Sequence, residues 1–279
     1  MIIDGFTMVG TSINGYQLTA EELLASMSSN GVDKSVIVPV QPKTYRFEPQ
    51  NEAVAVTQLR YPDRFIGFCR IDPRQGEDAI AELRRCVLQL GLRGLVLHPM
   101  EEGYTINDAP AIRLVREAGF LGVAVIVAAG YPWVSHASQI RSVAEQAEGT
   151  TIIMSHGGQI NISGLAQADA FLALETCGNL HIGTNGVYRQ DFLEECIDAF
   201  GPERVLFTSM APVFHQGFER DRVRSIKMKE SDRPLVLGDN MTRILEDASK
   251  TAYEPISRVK ESHSGPVVRD QKPLNKERR

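Results

Sequence analysis

Short apolar runs recur along the chain at intervals of about 25 to 34 residues. Most of the runs are rich in Val, Ile, Leu or Phe without strict alternation, which is typical of parallel strands buried on both faces. Eight runs fit this description, and they begin near Met1, Ser35, Phe65, Gly94, Val123, Thr151, Leu180 and Val205. The intervals leave room for one helix after each strand, so the pattern predicts eight strand–helix units.

The polar segments between the runs carry helix signals. In TAEELLASMSSNG, Thr19 is a candidate N-cap, Glu22 completes a capping box three residues later, and Gly31 ends the helix. Amphipathic helices are also predicted in EDAIAELRRCVLQLG, APAIRLVREAG and QDFLEECIDAFG. Eight units in about 250 residues predict a (β/α)8 TIM barrel of the α/β class over residues 1–249. A doubly wound open sheet is the alternative, but no GxGxxG motif follows the first strand.

The composition restricts the classes of partner. The 279 residues are 43% apolar and 23% charged, which suits a protein with a full core, and the net charge of -5 favours neither nucleic acid nor an anionic membrane. No apolar run approaches the roughly 18 residues that span a bilayer, and the N-terminus lacks the charged region of a signal peptide. Four cysteines without a CxxC pair favour buried thiols in a reducing cytoplasm, where we expect the protein to be.

The pattern changes after about Asp247. Residues 250–279 have no hydrophobic period, several prolines and about twice as many basic as acidic residues. We predict an irregular basic C-terminal tail that lies against its own barrel or a neighbouring subunit.

Several segments resemble one known family. They are IIDGFTMVG, YPDRFIGFCRIDP, GLRGLVLHP, IIMSHGG, GPERVLFTSMAP and LGDNMTRIL. In this order and at barrel spacing they resemble the amidohydrolase superfamily, in particular amidohydrolase family 2, a branch of metal-dependent TIM-barrel hydrolases and decarboxylases. The resemblance covers roughly residues 1 to 247, and it implies that functional residues lie at the carboxyl ends of the strands.

The resemblance also implies metal ligands that this chain lacks. The family has an HxH pair at strand 1, a histidine at strand 5 and an aspartate at strand 8. Here the HxH pair falls on Phe6 and Met8, the histidine on Ala128 or, with a one-residue slip, Ala129, and the aspartate on Met210. Because zinc and similar ions need three or four His, Asp, Glu or Cys ligands, we predict no metal cofactor. Apolar replacements leave no buried polar group unpaired and predict a packed barrel mouth.

Two histidines remain at strand ends. His156, in SHGG, matches the family's strand 6 histidine and is a candidate general acid or base. The alternative is a relic that forms hydrogen bonds across the barrel top. His98, in LHP, could hold a substrate or anchor its loop, and together with His156 and His215 it offers a rebuilt metal site as a further alternative.

Other strand-end residues are candidate substrate contacts. Arg70 could bind a carboxylate, or else Arg70 and Asp72 could form a local ion pair or cap a turn before Pro73. Trp133, in AAGYPWVSH, could form an aromatic wall for a planar ligand, or else a lid or an interface residue. Asn185 and Ser209 are candidate polar lining for a ligand.

These observations predict a non-catalytic structural or regulatory subunit that assembles, as a homo- or hetero-oligomer, with a metal-containing amidohydrolase paralogue. The loss of all four ligands to apolar residues favours this function. The alternative is a metal-independent hydrolase or decarboxylase-like lyase that uses His156 on a small anionic or aromatic substrate. A third possibility is a protein that binds a small molecule without converting it.

Overall fold

The computed structural model of the chain describes residues 1–160 and 164–251 and contains a barrel of parallel strands. The strands are β1 (Ile3–Thr11), β2 (Gln17–Leu18), β3 (Lys34–Pro39), β4 (Phe65–Gly67), β5 (Cys69–Arg70), β6 (Gly94–Leu97), β7 (Ala124–Val127), β8 (Ile152–Met154), β9 (Leu180–Gly183) and β10 (Val205–Leu206). β4 and β5 share the third barrel position, and β2 is an extra strand antiparallel to β1.

Hydrogen bonds close the ring of strands. Successive barrel strands pair in parallel from β1 to β4 and from β5 to β10. The gap between β4 and β5 is spanned by the N–H of Phe68, which donates to the carbonyl of Ile37 at 3.0 Å. Between the last strand and the first, Gly5 N–H donates to Phe207 O at 2.9 Å and Met210 N–H donates to Phe6 O at 2.6 Å. The predicted TIM barrel is therefore confirmed.

Helices follow the strands as predicted. They are α1 (Ala20–Asn30), α2 (Glu48–Arg60), α3 (Glu77–Leu88), α4 (Pro99–Glu102), α5 (Ala109–Phe120), α6 (Ala137–Gln146), α7 (Gly164–Thr176), α8 (Gln190–Phe200), α9 (Gln216–Ser225) and α10 (Asn240–Thr251). The capping box of Thr19 and Glu22 is present at α1, and Gly31 ends that helix in the left-handed conformation that glycine tolerates.

The core has an outer and an inner part. The outer part lies between the strands and the helices. The inner part fills the barrel, and its members are Ile3, Phe6, Met8, Val36, Val38, Val40, Phe68, Val96, Ala124, Ile126, Ile153, Leu206, Met210, Met241, Ile244 and Leu245. The last three belong to α10, so this helix contributes apolar side chains to the interior. A Cβ on Gly94 would lie 2.1 Å from the Phe68 ring, which explains the glycine there.

A buried polar group links the two ends of the barrel sequence. The Asp4 carboxylate on β1 accepts from the backbone N–H of Ser209 at 2.8 Å, from its hydroxyl at 2.5 Å and from the Gln216 amide at 2.9 Å. Burial raises the pKa of Asp4 to about 6, although the bonds from Ser209 and Gln216 act to lower it. The first strand is thus joined to the segment after the last one.

The end of the barrel differs slightly from the prediction. Helix α10 continues to Thr251, so the predicted boundary between residues 249 and 250 falls inside a helix. The remainder of the predicted tail, residues 252–279, lies outside the described residues. Within the described part of the chain, no helix combines the length and apolar character needed to cross a membrane.

Candidate functional site

The positions that the resemblance assigns to metal ligands are filled with packed apolar side chains. Phe6 and Met8 are 0% exposed and Met210 is 2% exposed, all within the inner core, and Ala128 is buried just after β7. Phenylalanine and alanine offer no side-chain ligand, and a thioether suits only soft ions. The Met210 sulfur instead accepts from the Asn185 amide at 3.6 Å.

The acidic, histidine and cysteine side chains of the described residues do not replace the missing metal ligands. Among residues 1–160 and 164–247, no three of them come close enough together to hold a metal ion. The rebuilt site considered for His98, His156 and His215 is therefore not formed. The donor set present does not fit the divalent metal that the resemblance implies.

A row of four rings crosses the barrel mouth. The Tyr131 ring centroid lies 5.6 Å from that of His98 and 5.9 Å from that of His156, and Phe214 lies 5.9 Å from His156 on the other side. Only 2% of His98 and 4% of His156 is exposed, while Tyr131 and Phe214 are half-buried. The two histidines are thus brought together, but they lie beneath aromatic side chains.

Both imidazoles are neutral near pH 7. Burial lowers the pKa of His98 to about 3, with a further contribution from the positive charge of Arg70. Burial likewise lowers the pKa of His156 to about 4. A general base with such a pKa is weak at neutral pH, since catalytic pKa values normally lie near the operating pH.

Ser155 holds the His156 ring by a hydrogen bond. Ser155 Oγ accepts from the backbone N–H of Ala129 at 3.1 Å and lies 2.7 Å from His156 Nδ1. This bond forms with either tautomer of the neutral ring, because the hydroxyl can donate to Nδ1 or accept from it. His156 also has a φ of 55°, a left-handed conformation that costs a non-glycine residue about 1 kcal/mol or more and persists only where packing enforces it.

Arg70 is buried in an ion-pair network. Its Nε donates to Glu102 at 2.9 Å, and its Nη2 donates to Glu101 and Glu102 at 2.5 Å each. Nη1 donates to the carbonyl of Pro39 at 3.2 Å, and Nη2 also lies 3.4 Å from Gln41. The guanidinium is fully buried and has two carboxylate partners, but neither is the Asp72 expected above, which instead binds Arg74 and caps the turn that begins at Pro73.

The carboxylates of this network come from the short helix α4. Glu101 also accepts from Asn14 Nδ2 at 2.7 Å and from the Tyr16 hydroxyl at 2.9 Å, which ties the loop after β1 to α4. Burial raises the pKa of Glu102 to about 7, although Arg70 acts to lower it. The network thus holds Arg70 in place and joins the loop after β1 to helix α4 at the barrel mouth.

Two of the other candidate contacts bind neighbouring side chains, and the third is exposed. Asn185 is fully buried and its Oδ1 accepts from the Thr208 hydroxyl at 2.7 Å, while Ser209 is bound to Asp4. Trp133 is 86% exposed, and its φ of 67° lies in the left-handed region. Cavities of about 360 and 480 Å³ open beside α2 and near Met1, and neither is lined by His98 or His156.

Sequence reasoning missed Glu101, Glu102, Tyr16 and Phe214. The segment PMEEG, which follows the fourth strand and lies beside the strand that ends in Arg70, contained a usable signal. Two carboxylates next to a buried arginine predict an ion pair at the shared carboxyl edge of the strands.

Residues 8–246 match the model of the Amidohydrolase family. A segment of 83 residues is 34% identical to 2-amino-3-carboxymuconate-6-semialdehyde decarboxylase of Dictyostelium discoideum. The segment makes up 30% of this chain and 22% of that protein. The match therefore spans less than a quarter of the length of that relative.

Solved structures of decarboxylases share the fold. 2,6-Dihydroxybenzoate decarboxylase complexed with 2,6-dihydroxybenzoate has a TM-score of 0.69 and 16% identity, covering 88% of this chain and 99% of that chain. 5-Carboxyvanillate decarboxylase from Novosphingobium aromaticivorans, complexed with manganese and 4-hydroxy-3-methoxy-5-nitrobenzoic acid, has a TM-score of 0.71 and 13% identity, covering 88% and 96%. At these identities the likeness establishes the barrel fold alone.

Proposed function

Since the chain belongs to the amidohydrolase family yet lacks the metal ligands that family resemblance implies, we propose that it is a non-catalytic subunit. In this proposal it assembles with a metal-containing relative and has a structural or regulatory role. The observation that carries the proposal is the complete apolar packing of Phe6, Met8 and Met210 in the inner core.

The packing argues against a site that has merely lost its ion. Unpaired buried His or Asp groups would each cost about 1–3 kcal/mol, whereas the side chains present have no polar group to satisfy at these positions except the Met210 sulfur, which has Asn185 as a partner. Interiors packed to this degree leave no space for a substrate atom beside the former ligand positions. The proposed subunit therefore needs no metal to complete the packing of its barrel mouth.

The electrostatics of the mouth support the same proposal. An anionic substrate would need a free cation, but Arg70 is paired with Glu101 and Glu102 and is 0% exposed. Displacing a carboxylate from a buried guanidinium would leave a second buried charge without a partner, which is strongly unfavourable. Arg70 is thus not available to bind the anions with which the relatives named above are associated.

One observation favours a second candidate function, a metal-independent decarboxylase-like lyase. The neutral ring of His156 is bound to Ser155 Oγ through Nδ1 and lies beside the half-buried ring of Tyr131. In such an enzyme His156 would deliver its ring proton to the carbon atom that loses CO2 and would recover a proton from water. This function requires Tyr131 and Phe214 to move aside, because His156 is 4% exposed.

The metal content tests the proposal directly. We expect protein expressed with added zinc or manganese to hold far less than one ion per chain after dialysis. A stoichiometric ion would contradict the apolar packing, and loss of that ion in a His156→Gln variant would locate it at the mouth.

Assembly and activity decide between the two functions. Co-expression with an amidohydrolase relative that retains the HxH pair, followed by affinity purification, should recover both chains under the proposed function. The purified chain alone should not release CO2 from 2,6-dihydroxybenzoate or 5-carboxyvanillate. Release of CO2 that is abolished in His156→Gln, without metal, would establish the lyase function instead.

A further inference from the structure

An apolar groove opens at the end of the barrel opposite to the mouth, where the strands begin. We call it the basal groove. Its apolar lining is Met1, Ile3, Leu59, Phe65, Ile66 and Leu245, and its volume is about 480 Å³. Met1 is 57% exposed and Leu59 is 74% exposed, although both side chains are large and apolar. Exposed apolar side chains grouped around one concavity mark an interaction site.

Helix α10 contributes to the lining of the basal groove. Its residues Thr242, Leu245 and Glu246 line the groove, and Arg93 Nη2, from another part of the lining, donates to the Leu245 carbonyl at 2.8 Å. The helix ends at Thr251, about 7.5 Å beyond Glu246 at a rise of 1.5 Å per residue. The chain that follows, residues 252–279, therefore starts beside the groove.

The composition of the segment directly after the helix suits this groove. Residues 252–261 include Tyr253, Ile256 and Val259, whose side chains gain free energy when they leave water for an apolar surface. An extended segment of this length spans up to about 33 Å, which is more than enough to cross a groove of this volume. Because the segment is tethered to α10, its effective concentration at the groove is on the order of millimolar.

The charges around the groove are balanced, and so are those of the segment. Three basic and three acidic residues line the groove and the hollow into which it continues past Met1, namely Lys34, Arg64, Arg93, Asp33, Asp63 and Glu246. Residues 252–261 carry two basic and two acidic side chains. A separate partner is normally selected by complementary charge, for which a neutral groove gives little basis. A tethered segment of zero net charge needs no such selection.

We propose that residues 252–261 occupy the basal groove of their own barrel and hold helix α10 against its base. Met241, Ile244 and Leu245 of α10 belong to the inner core, so a segment that holds this helix stabilises the barrel from below. The family match ends at residue 246, and the segment lies beyond it. The contact goes beyond the proposed function, because it concerns how this chain completes its own barrel.

Hydrogen exchange of the full chain tests the contact. We expect Ile256→Asp to speed amide exchange at least tenfold in residues 58–66 and in the last turns of α10, because the apolar contact that limits local opening is lost. Leu59→Asp, which changes an exposed groove residue, should have the same effect on α10. Val268→Asp is the matched control outside the segment and should leave exchange unchanged.

Disulfide cross-linking identifies the occupant of the groove. The four native cysteines are buried, so the reaction reports the introduced pair. With oxidised glutathione, Leu59→Cys combined with Ile256→Cys should cross-link within one chain, seen by mass spectrometry as a monomer that has lost two hydrogen atoms. Met100→Cys combined with Ile256→Cys should not cross-link, because Met100 is exposed at the mouth.

Three outcomes would overturn the inference. They are unchanged exchange in Ile256→Asp, an equal loss of protection in Val268→Asp, and a cross-link that joins two chains, which would make a second copy the occupant. Circular dichroism of each variant checks that the barrel is folded. None of these outcomes bears on whether the chain is non-catalytic, which metal content and CO2 release decide separately.

Discussion

Replacing Arg70 by methionine distinguishes a structural arginine from a substrate anchor. Methionine fills a similar apolar volume but removes the charge, so Glu101 and Glu102 lose their common cation. If the guanidinium were an anchor kept ready for a substrate, its loss would change ligand binding and leave the folded state little affected. If it is the centre of a buried network, its loss lowers the free energy of unfolding.

The burial and the partners of Arg70 set the loss of stability expected for Arg70→Met. Arg70 is 0% exposed and donates to two carboxylates, one of which is itself almost fully buried. Removing one partner from a buried ion pair costs about 3–5 kcal/mol, because the other charge is left in a medium that solvates it poorly. A typical domain has about 5–15 kcal/mol of stability in total, so the loss would be plain in an unfolding curve.

Urea unfolding of the wild type and Arg70→Met measures this loss at pH 7.5 and at pH 5. Burial already raises the pKa of Glu102 to about 7, above its ordinary value of 4.5. The folded variant therefore binds protons more tightly than the unfolded chain, and its stability falls as pH rises from 4.5 upward. We expect a larger deficit at pH 7.5 than at pH 5.

Arg74→Met is the matched control. Arg74 is paired with Asp72, but 52% of its side chain is exposed, and such pairs contribute about 0–1 kcal/mol. A loss in Arg70→Met no larger than in Arg74→Met, or a deficit independent of pH, would refute the assignment of Arg70 to a buried network.

Three further variants, one of them with Met100→Ala as its control, test other parts of the structure by urea unfolding. Phe6→Ala should cost about 3–5 kcal/mol because Phe6 fills the inner core, whereas Met100→Ala at an exposed position should cost under about 0.5 kcal/mol; similar values for both would mean an open mouth. Burial lowers the pKa of His156 to about 4, so stability is lost as pH falls from 6.5 to 4, and His156→Gln should reduce this slope by up to about 1.4 kcal/mol per pH unit; an unchanged slope would contradict the burial. Thr19→Ala should cost about 1 kcal/mol by removing the N-cap of α1, and a neutral result would exclude the capping box.

The barrel was predictable because its signal is local and repeated. Each strand is a short apolar run, and α1 carries its own caps in Thr19 and Gly31. The division of the third strand around Phe68 was not predictable, because it depends on a ring that packs against Gly94 of the next strand. Contacts between strands are set by the closed barrel and leave little trace in either segment alone.

The positions of the candidate site residues were predictable from the sequence, but the contacts that these residues make were not. Strand ends located His98, His156 and Arg70 correctly at the mouth, yet the partners of Arg70 come from α4, whose two carboxylates follow a different strand. Trp133 faces solvent and has a φ of 67°, and no spacing rule predicts a left-handed tryptophan. Its assignment as a substrate contact stays a prediction that the geometry does not favour.

The bonds from Ser209 and Gln216 to Asp4 have a consequence for the order of folding. The Asp4–Ser209 pair spans 205 residues, and the Asp4–Gln216 pair spans 212. During synthesis, β1 emerges first, but the part of its second edge around Gly5 and Phe6 has no strand partner until the segment around residue 209 has been translated. At about 5–20 residues per second this interval lasts on the order of 10–40 s. Throughout it, these backbone groups of β1 are unpaired, and pairing with β3 does not cover them because β3 lies on the other edge, so this stretch of the nascent chain is a template for association with other strands.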